Sequence, residues 1–304
     1  MSDLLEEGYH RCARLTRQHG TTYFWGAALL PRPQRRDVYS VYALCRLADD
    51  IVDEPGSTES NGAESGRAGP AERLAGFADA FRSSLAARSA ADPVMAAVVD
   101  TVRRRHIDPE CFDRFFTAMA LDLTITAWPS WPALRDGYMD GSAAVIGEMM
   151  LPVLEPLTDE ATAPARSLGL AFQLTNFIRD VGEDLDRGRV YLPADDLARH
   201  GADPWSRQVT PAWCAFLAEQ IARNRELYRL ATPGIAMLPP ASARCVATAH
   251  TLYARILDRI EAAGYDVFSD RIRVPTWRKA LTAAGTVVAD GTRRRARAPW
   301  PTAS

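Results

Sequence analysis

Residues 173–184 read QLTNFIRDVGED, and this stretch combines helical periodicity with polar side chains at a regular interval. Asn176, Asp180 and Asp184 follow one another at four-residue steps. Each such step on a helix drifts only ~40° around the axis, so the three oxygen-bearing side chains are predicted to lie along one side. The apolar residues between them predict one helix over residues 168–184. The alternative is an ordinary surface helix whose charges pair with each other.

A second acidic stretch lies nearer the N-terminus, where residues 46–54 read RLADDIVDE. Asp49 and Asp53 are four residues apart, and unpaired carboxylates at that spacing repel each other on a helix. A divalent cation would remove the repulsion. Oxygen ligands suit Mg²⁺, which shares its coordination shell between a few carboxylates and substrate phosphates. Taken alone, this stretch also fits a solvated helix end that precedes a loop.

The two stretches together are far more specific than either one. Two helices that carry carboxylates at four-residue spacing can face each other across a bundle and hold Mg²⁺ ions on a diphosphate. Arg46, Arg179 and Arg189 lie in or beside the stretches, and guanidinium groups bind phosphate oxygens through paired hydrogen bonds. This combination predicts a site that removes diphosphate from carbon, with an apolar bundle interior around the resulting carbocation.

The remainder of the chain also favours helices. Alternation of apolar and polar residues is almost absent, and further helices are predicted over residues 35–52, 212–230 and 241–263. The predicted fold class is therefore all-α. The most apolar stretch, residues 143–154, is too short to span a bilayer.

Composition and charge set the remaining limits. With 36 Lys and Arg against 38 Asp and Glu, the net charge is −2, so nucleic acid is not an expected partner. We expect one domain over residues 1–284 with a surface loop at 55–70, and a basic, disordered tail at 285–304. The five cysteines form no CxxC pair, which favours a reducing, cytoplasmic location.

Two motifs resemble those of a known family. Residues 39–54, YSVYALCRLADDIVDE, closely resemble the first aspartate-rich motif of the squalene/phytoene synthases. Residues 173–193, QLTNFIRDVGEDLDRGRVYLP, resemble the second motif, in a form most similar to bacterial phytoene synthases. The resemblance extends from about His19 to Lys279. It implies the isoprenoid synthase (class I terpenoid synthase) fold, an all-α helical bundle with a central cavity.

The resemblance also implies roles for individual residues. The implied metal ligands are Asp49, Asp53, Asn176, Asp180 and Asp184. The implied contacts to substrate diphosphate are His19, Thr22, Tyr42, Arg46, Gln173, Arg179, Arg189, Tyr191, Tyr253 and Arg271. The implied catalytic residues are Tyr42, Arg46, Tyr138, Arg179 and Tyr253. Residues 138–147 resemble the small-residue helix that lines the prenyl tunnel, although the family often has an aromatic residue or histidine at the position of Asp140.

The implied activity is that of a prenyltransferase of carotenoid biosynthesis. It would condense two geranylgeranyl diphosphates head to head to phytoene, through a cyclopropyl diphosphate and with release of two diphosphates. Squalene, dehydrosqualene or hydroxysqualene synthesis from farnesyl diphosphate is the alternative within the family. A terpene cyclase remains a rival because residues 49–53 read DDIVD, and a non-catalytic assembly protein on this fold is a rival of another class.

Cofactors and partners follow from the same resemblance. We expect Mg²⁺, or Mn²⁺ in its place, and no NADPH if phytoene is the product. Prenyl diphosphates and a long hydrocarbon product predict peripheral contact with the inner face of the cell membrane, together with handover to a downstream desaturase. Four arginines of the tail are expected to contribute to that contact, namely Arg293, Arg294, Arg295 and Arg297.

Overall fold

The computed structural model of the chain describes residues 3–19, 26–53 and 68–269. Over these ranges the chain is helical and forms no strand, and an isolated bridge joins Ala127 to Val190. The predicted all-α class is confirmed. Within the same ranges, no helix is both long and apolar enough to cross a membrane.

The bounds of the helices are as follows. In chain order the α-helices of the described ranges are α1 (Asp3–His19), α2 (Arg32–Asp53), α3 (Pro70–Ala87), α4 (Pro93–Arg104), α5 (Pro109–Leu121), α6 (Trp131–Leu134), α7 (Val145–Leu154), α8 (Thr162–Arg179), α9 (Val181–Asp186), α10 (Ala194–His200), α11 (Pro211–Ala236) and α12 (Pro240–Ala262). A π-helix, Arg135–Ala144, joins α6 to α7. Single 3₁₀ turns, Asp159–Ala161 and Pro204–Ser206, lie before α8 and between α10 and α11.

Several helices begin where the sequence carries a capping residue followed by proline. The Asp92 carboxylate accepts a hydrogen bond from the Met95 backbone at the start of α4. Thr210 caps α11 in the same way, through the backbone N–H of Trp213. In both cases proline occupies the first turn, where its missing N–H leaves no hydrogen bond unmade.

The two acidic stretches lie on α2 and on the end of α8, which belong to different sides of one core. α2 packs against α1, α4 and α7, whereas α8 packs against α11, α7 and the π-helix. One cluster of buried apolar side chains runs from Tyr9 in α1 to Ile260 in α12. The predicted helices over residues 35–52, 212–230 and 241–263 are confirmed as parts of α2, α11 and α12.

The prediction of one continuous helix over residues 168–184 is wrong. α8 ends at Arg179, Asp180 adopts φ −100° and ψ 15°, and α9 begins at Val181. A Cβ added to Gly182 would lie 3.1 Å from the carbonyl oxygen of Val267, so this part of the chain approaches closely. Helical periodicity continues through the break, and tertiary packing therefore overrides the local preference here.

The predicted extent of the domain is not decided by these ranges. The loop at 55–70 lies almost wholly outside the described residues, and α3 begins at Pro70. The tail at 285–304 and the boundary at residue 284 also lie outside them. One domain over residues 1–284 therefore stays a prediction.

Candidate active site

A cavity of about 1080 Å³ lies between α2 and α8. α8 runs along its length: Ala165 and Leu168 line the cavity near the start of the helix, and Asn176 and Asp180 line it near the end. The distance along the helix from Ala165 to Asp180 is about 22 Å at 1.5 Å per residue. The cavity is therefore elongated, with an apolar end and a polar end.

The apolar end is walled by small and aliphatic residues. It is lined by Ala143, Ile146, Gly147, Met150, Leu151, Leu154, Ala161, Ala165, Leu168, Gly169, Ala231, Ile235, Leu238 and Val246. The wall formed by the π-helix, α7 and α8 is held together by backbone contacts. A Cβ on Gly147 would overlap the carbonyl oxygen of Ala165, and one on Gly169 would overlap that of Ala143. These two glycines allow the helices to approach closely enough to close the wall.

The first acidic stretch brings Asp49 and Asp53 to the polar end from α2. Burial raises the pKa of Asp49 to about 7, against the opposing charge of Arg46 and with added repulsion from Asp53. Arg46 forms an ion pair with Asp50, one turn along the same helix. Ionisation of the Asp49 carboxyl is therefore unfavourable in the protein alone.

The second acidic stretch supplies Asp180 and Asp184 from the opposite side. Arg179 Nε donates a hydrogen bond of 2.7 Å to Asp180 Oδ1, and the guanidinium and the carboxylate form a two-pronged pair. Burial raises the pKa of Asp184 to about 8, and repulsion from Asp180 adds to the effect. Each acidic stretch thus contains one carboxyl paired with a neighbouring arginine and one whose ionisation is unfavourable.

The segment that follows the second acidic stretch contacts the first one. Arg187 Nη1 lies 3.2 Å from Asp53 Oδ2, and Arg189 Nη1 lies 3.8 Å from Asp53 Oδ1. The segment after α9 therefore places two positive charges against the end of α2. Positive and negative side chains alternate at this end of the cavity, which suits a ligand that carries phosphate oxygens together with bound cations.

A buried carboxylate not foreseen from the sequence lies beside this polar end. Asp122, at the end of α5, accepts hydrogen bonds from the hydroxyl of Tyr138 and, at 3.0 Å, from that of Tyr191. Burial raises the pKa of Asp122, and the two tyrosine hydrogen bonds oppose the rise. The ring of Phe177 stacks on Tyr191 with centroids 4.2 Å apart. Aromatic faces at this position can stabilise a neighbouring cation.

The donor set at the polar end fits a hard divalent cation. It consists of carboxylate and amide oxygens, and Asn176 Oδ1 is a buried oxygen without a hydrogen-bond partner among the described residues. Within those residues, no three His, Cys, Asp or Glu side chains are close enough to form a metal site by themselves. Mg²⁺ usually completes its shell with water and substrate phosphate, so the arrangement suits an ion that arrives with a diphosphate.

Most of the side chains singled out from the sequence meet at this cavity. Those that line it are His19, Tyr42, Arg46, Asp49, Asp53, Tyr138, Gln173, Asn176, Arg179, Asp180, Asp184, Tyr191 and Tyr253. Arg189 reaches the site through Asp53 and through Tyr191, whose hydroxyl lies 3.3 Å from its Nη1. Thr22 and Arg271 lie outside the described residues. The roles of all these residues stay predictions.

Sequence reasoning missed three charged residues of the site. Glu183, Arg187 and Asp122 all line the cavity together with the predicted ligands. The first two belong to or follow the second acidic stretch, so a wider reading of it would have included them. Asp122 gives only a weak signal, a single carboxylate after the apolar run of α5, because its partners lie 16 and 69 residues away.

Comparisons of sequence agree with this geometry. The profile of the family described as squalene/phytoene synthase matches residues 16–278. The phytoene synthase of Arthrospira platensis is 34% identical over 291 residues, which cover 90% of this chain and 91% of the relative. The 15-cis-phytoene synthase of Synechococcus elongatus is 32% identical over 293 residues, which cover 90% of this chain and 91% of the relative.

Solved structures show the same fold. The squalene synthase HpnC from Alicyclobacillus acidocaldarius superposes with a TM-score of 0.75 and 27% identity, over 88% of this chain and 97% of that one. A dehydrosqualene synthase in complex with a ligand superposes with a TM-score of 0.84 and 22% identity, over 95% of this chain and 98% of that one. The predicted isoprenoid synthase fold is therefore confirmed.

Proposed function

Because the chain belongs to the squalene/phytoene synthase family and is a prenyltransferase, we propose that it couples two geranylgeranyl diphosphates head to head to phytoene. One substrate loses diphosphate, and its allylic cation is captured by the double bond of the other, which gives a cyclopropyl diphosphate after loss of a proton. A second loss of diphosphate, followed by rearrangement and loss of a proton, completes the product. Two diphosphates are released in all.

The observation that carries this proposal is the elongated cavity with one polar and one apolar end. Its volume of about 1080 Å³ exceeds the ~300–1,000 Å³ of ordinary small-molecule sites. The apolar part extends along α8 for several helical turns from the carboxylates and arginines. This shape fits long hydrocarbon chains whose diphosphate groups remain at the polar end.

We assign three roles to the residues singled out above: binding of metal, binding of diphosphate and stabilisation of the carbocation. Asp49, Asp53, Asn176, Asp180 and Asp184 would hold Mg²⁺ or Mn²⁺. Such ions supply positive charge to a departing diphosphate. Arg46, Arg179 and Arg189 would bind diphosphate oxygens, with contributions from His19, Tyr42, Gln173, Tyr253, Thr22 and Arg271. Tyr138 and Tyr191, fixed by Asp122, would present aromatic faces to the cation, while the closed apolar wall excludes water.

The product assignment is supported by the relatives. Both sequence relatives described above are named phytoene synthases and match along nine-tenths of the chain. Squalene or dehydrosqualene formation from farnesyl diphosphate is the second candidate, because the squalene synthase HpnC shares the fold. A phytoene product requires no NADPH, whereas squalene formation consumes a reductant.

Exchange of substrates and product with a bilayer is a further part of the proposal. Long hydrocarbons dissolve poorly in water, so we propose peripheral contact with the inner face of the cell membrane and handover of the product to a desaturase. The tail arginines expected to assist lie outside the described residues.

The test is product analysis with purified protein. The protein is incubated with Mg²⁺ and either geranylgeranyl or farnesyl diphosphate, with and without NADPH, and the hydrocarbons are identified by mass spectrometry. We expect phytoene from geranylgeranyl diphosphate, independent of NADPH and abolished by a chelator. A C30 product formed in clear preference would replace the assignment with the second candidate, and a cyclised monomeric product would indicate a terpene cyclase.

A further inference from the structure

A single serine in the cavity wall has a hydroxyl group with no partner. Ser142 lies in the π-helix, is 8% exposed and lines the cavity. Its Oγ is buried and forms no hydrogen bond to any described residue. Buried polar groups are nearly always hydrogen-bonded, and an unmade bond is unfavourable, so this hydroxyl requires an explanation.

The backbone on both sides of Ser142 packs closely against neighbouring helices. On one side, a Cβ on Gly141 would lie 2.9 Å from the carbonyl oxygen of Arg114 in α5. On the other side, the carbonyl of Ala143 touches Gly169 in α8. The π-helix therefore packs against both α5 and α8, and Ser142, which lies between these two contacts in the sequence, lines the cavity.

Four charged side chains hold the same helix from its outer side. Asp140 bridges Arg114, at 2.8 Å from Nη2, and Arg166. Glu148 bridges the same two arginines, at 2.9 Å from Arg114 Nη1. This ring of alternating charge ties the π-helix to α5, α7 and α8. The ring holds the helix in the orientation in which Ser142 lines the cavity.

We propose that the hydroxyl oxygen of Ser142 contacts the positively charged part of the prenyl chain during the second loss of diphosphate. The inference rests on the proposed function and assigns a residue to one of its steps. Ser142 follows Tyr138 by roughly one turn of the π-helix, on the way from the polar end to the apolar end. An oxygen whose lone pairs are not engaged can turn them toward a cation, and the apolar surroundings strengthen that attraction.

The chemistry at this step is a heterolysis followed by a proton loss. The C–O bond of the cyclopropyl diphosphate breaks with its electron pair leaving on the diphosphate, and the carbon skeleton becomes cationic. After rearrangement, a C–H bond supplies the electrons of the new double bond, and the proton passes to the released diphosphate. Ser142 forms no covalent bond in this sequence. It lowers the energy of the cation, an interaction that is absent before ionisation, when the carbon skeleton of the substrate carries no charge.

The chain contains a matched control for removal of this hydroxyl. Ser242 in α12 is also fully buried, and its Oγ also lacks a hydrogen-bond partner among the described residues, but it does not line the cavity. Ser142→Ala, Ser142→Thr and Ser242→Ala are compared with wild type for kcat, KM and accumulation of the cyclopropyl diphosphate. We expect Ser142→Ala to lower kcat on the order of tenfold with KM nearly unchanged, and the intermediate to accumulate. Ser142→Thr and Ser242→Ala should resemble wild type.

A wild-type kcat and no added intermediate in Ser142→Ala would overturn the inference. Equal losses in the Ala and Thr variants would also overturn it, because the side-chain volume and not the hydroxyl would then matter. A binding measurement provides a test independent of turnover: a prenyl ammonium ion is compared with its neutral hydrocarbon isostere. We expect the preference for the charged ligand to fall in Ser142→Ala and not in Ser242→Ala, and an unchanged preference would contradict the proposal. If wild type couples no prenyl diphosphate, the proposed function fails, whereas this binding ratio still decides the role of Ser142.

Discussion

Carboxylates at the polar end of the cavity behave in the opposite way to those of the ion-pair cluster between α10 and α11, which lies away from the cavity and is called the outer cluster. At the cavity, burial raises the pKa of Asp49 to about 7 and that of Asp184 to about 8. In the outer cluster between α10 and α11, burial alone would raise the pKa of Asp196, but hydrogen bonds from Arg223, Gln220 and Arg199 lower it. Hydrogen bonds from Arg199 and His200 lower the pKa of Glu219 to about 2.

The opposite pKa shifts indicate that the two groups of carboxylates serve different purposes, ligand binding at the cavity and stability in the outer cluster. The outer carboxylates have their partners within the protein, so they stabilise the fold as ions. The ionised forms of Asp49 and Asp184 are unfavourable in the folded chain alone. A bound metal cation would supply the positive charge that stabilises them. Removal of a carboxylate should therefore lower turnover at the cavity and lower the free energy of unfolding in the outer cluster.

The largest effect is expected from Asp49→Ala and Asp184→Ala, with Asp180→Ala as a third variant. Each should lower turnover in Mg²⁺ by at least ~10²–10³-fold, because a group that stabilises the departing diphosphate is lost. The melting temperature of Asp49→Ala and Asp184→Ala without metal should stay the same or rise, since like-charge repulsion is relieved, whereas Asp180→Ala should lower it because Arg179 loses its partner. Asp186→Ala is the control, because Asp186 is 67% exposed and pairs with Arg207. Near-wild-type rates would refute the metal assignment, and collapse of the fold would show a structural role instead.

Asp196→Ala tests the other side of the comparison. Asp196 is buried and holds Arg223 at 2.6 Å and Gln220 at 2.9 Å, so its removal leaves those groups unpaired. We expect the free energy of unfolding to fall on the order of 3 kcal/mol, with turnover per folded molecule retained. Asp258→Ala removes a side chain that is 65% exposed and pairs with Arg225. This substitution should change the free energy of unfolding by less than about 1 kcal/mol. Denaturant unfolding measures both, and equal effects would contradict the distinction.

Acid stability should report on Glu219. Its folded pKa of about 2 lies below the ordinary value of 4.5, so its contribution to stability is complete above pH 4.5 and is lost as the pH falls toward 2. Glu219→Gln should therefore flatten the fall of the melting temperature between pH 4.5 and 2. Glu226→Gln is the comparison: Arg229 also lowers the pKa of Glu226, but Glu226 is exposed and has Arg229 as its one ion-pair partner among the described residues, so the profile should change less. An unchanged profile in Glu219→Gln would show that the outer cluster is not stabilised by charge.

The effect that depends most on solution conditions is expected from charges whose proposed partner is a lipid surface. The full chain and a chain that ends at Ala284 are compared by co-sedimentation with anionic liposomes. The arginines of the tail should contribute on the order of 1 kcal/mol each at low salt. The difference should vanish near 1 M salt, where the Debye length is ~3 Å. Equal, salt-insensitive binding of both chains would refute this role and leave the catalytic residues unaffected.

How much the sequence predicts depends on how far apart the partners lie. The spacing within α2 and within α8 is local, so the facing acidic stretches could be predicted from periodicity and charge. Asp140 could not be assigned a role, because Arg114 and Arg166 each lie 26 residues away and reach it only in the folded bundle. The break at Asp180 was missed for the same reason, since the chain that approaches Gly182 comes from residues 267–268.

The contact of Gly147 and Gly169 with facing carbonyl groups has an evolutionary consequence. Neither position can accept even a methyl group unless the backbone moves. Single substitutions of these glycines are therefore expected to be destabilising. Another part of the lining is different, because Ile235, Leu238 and Val246 contribute side chains that can be exchanged one methylene at a time. Descendants of this enzyme that accept shorter or longer hydrocarbons are therefore expected to differ on the side of α11 and α12, while the glycine side is inherited unchanged.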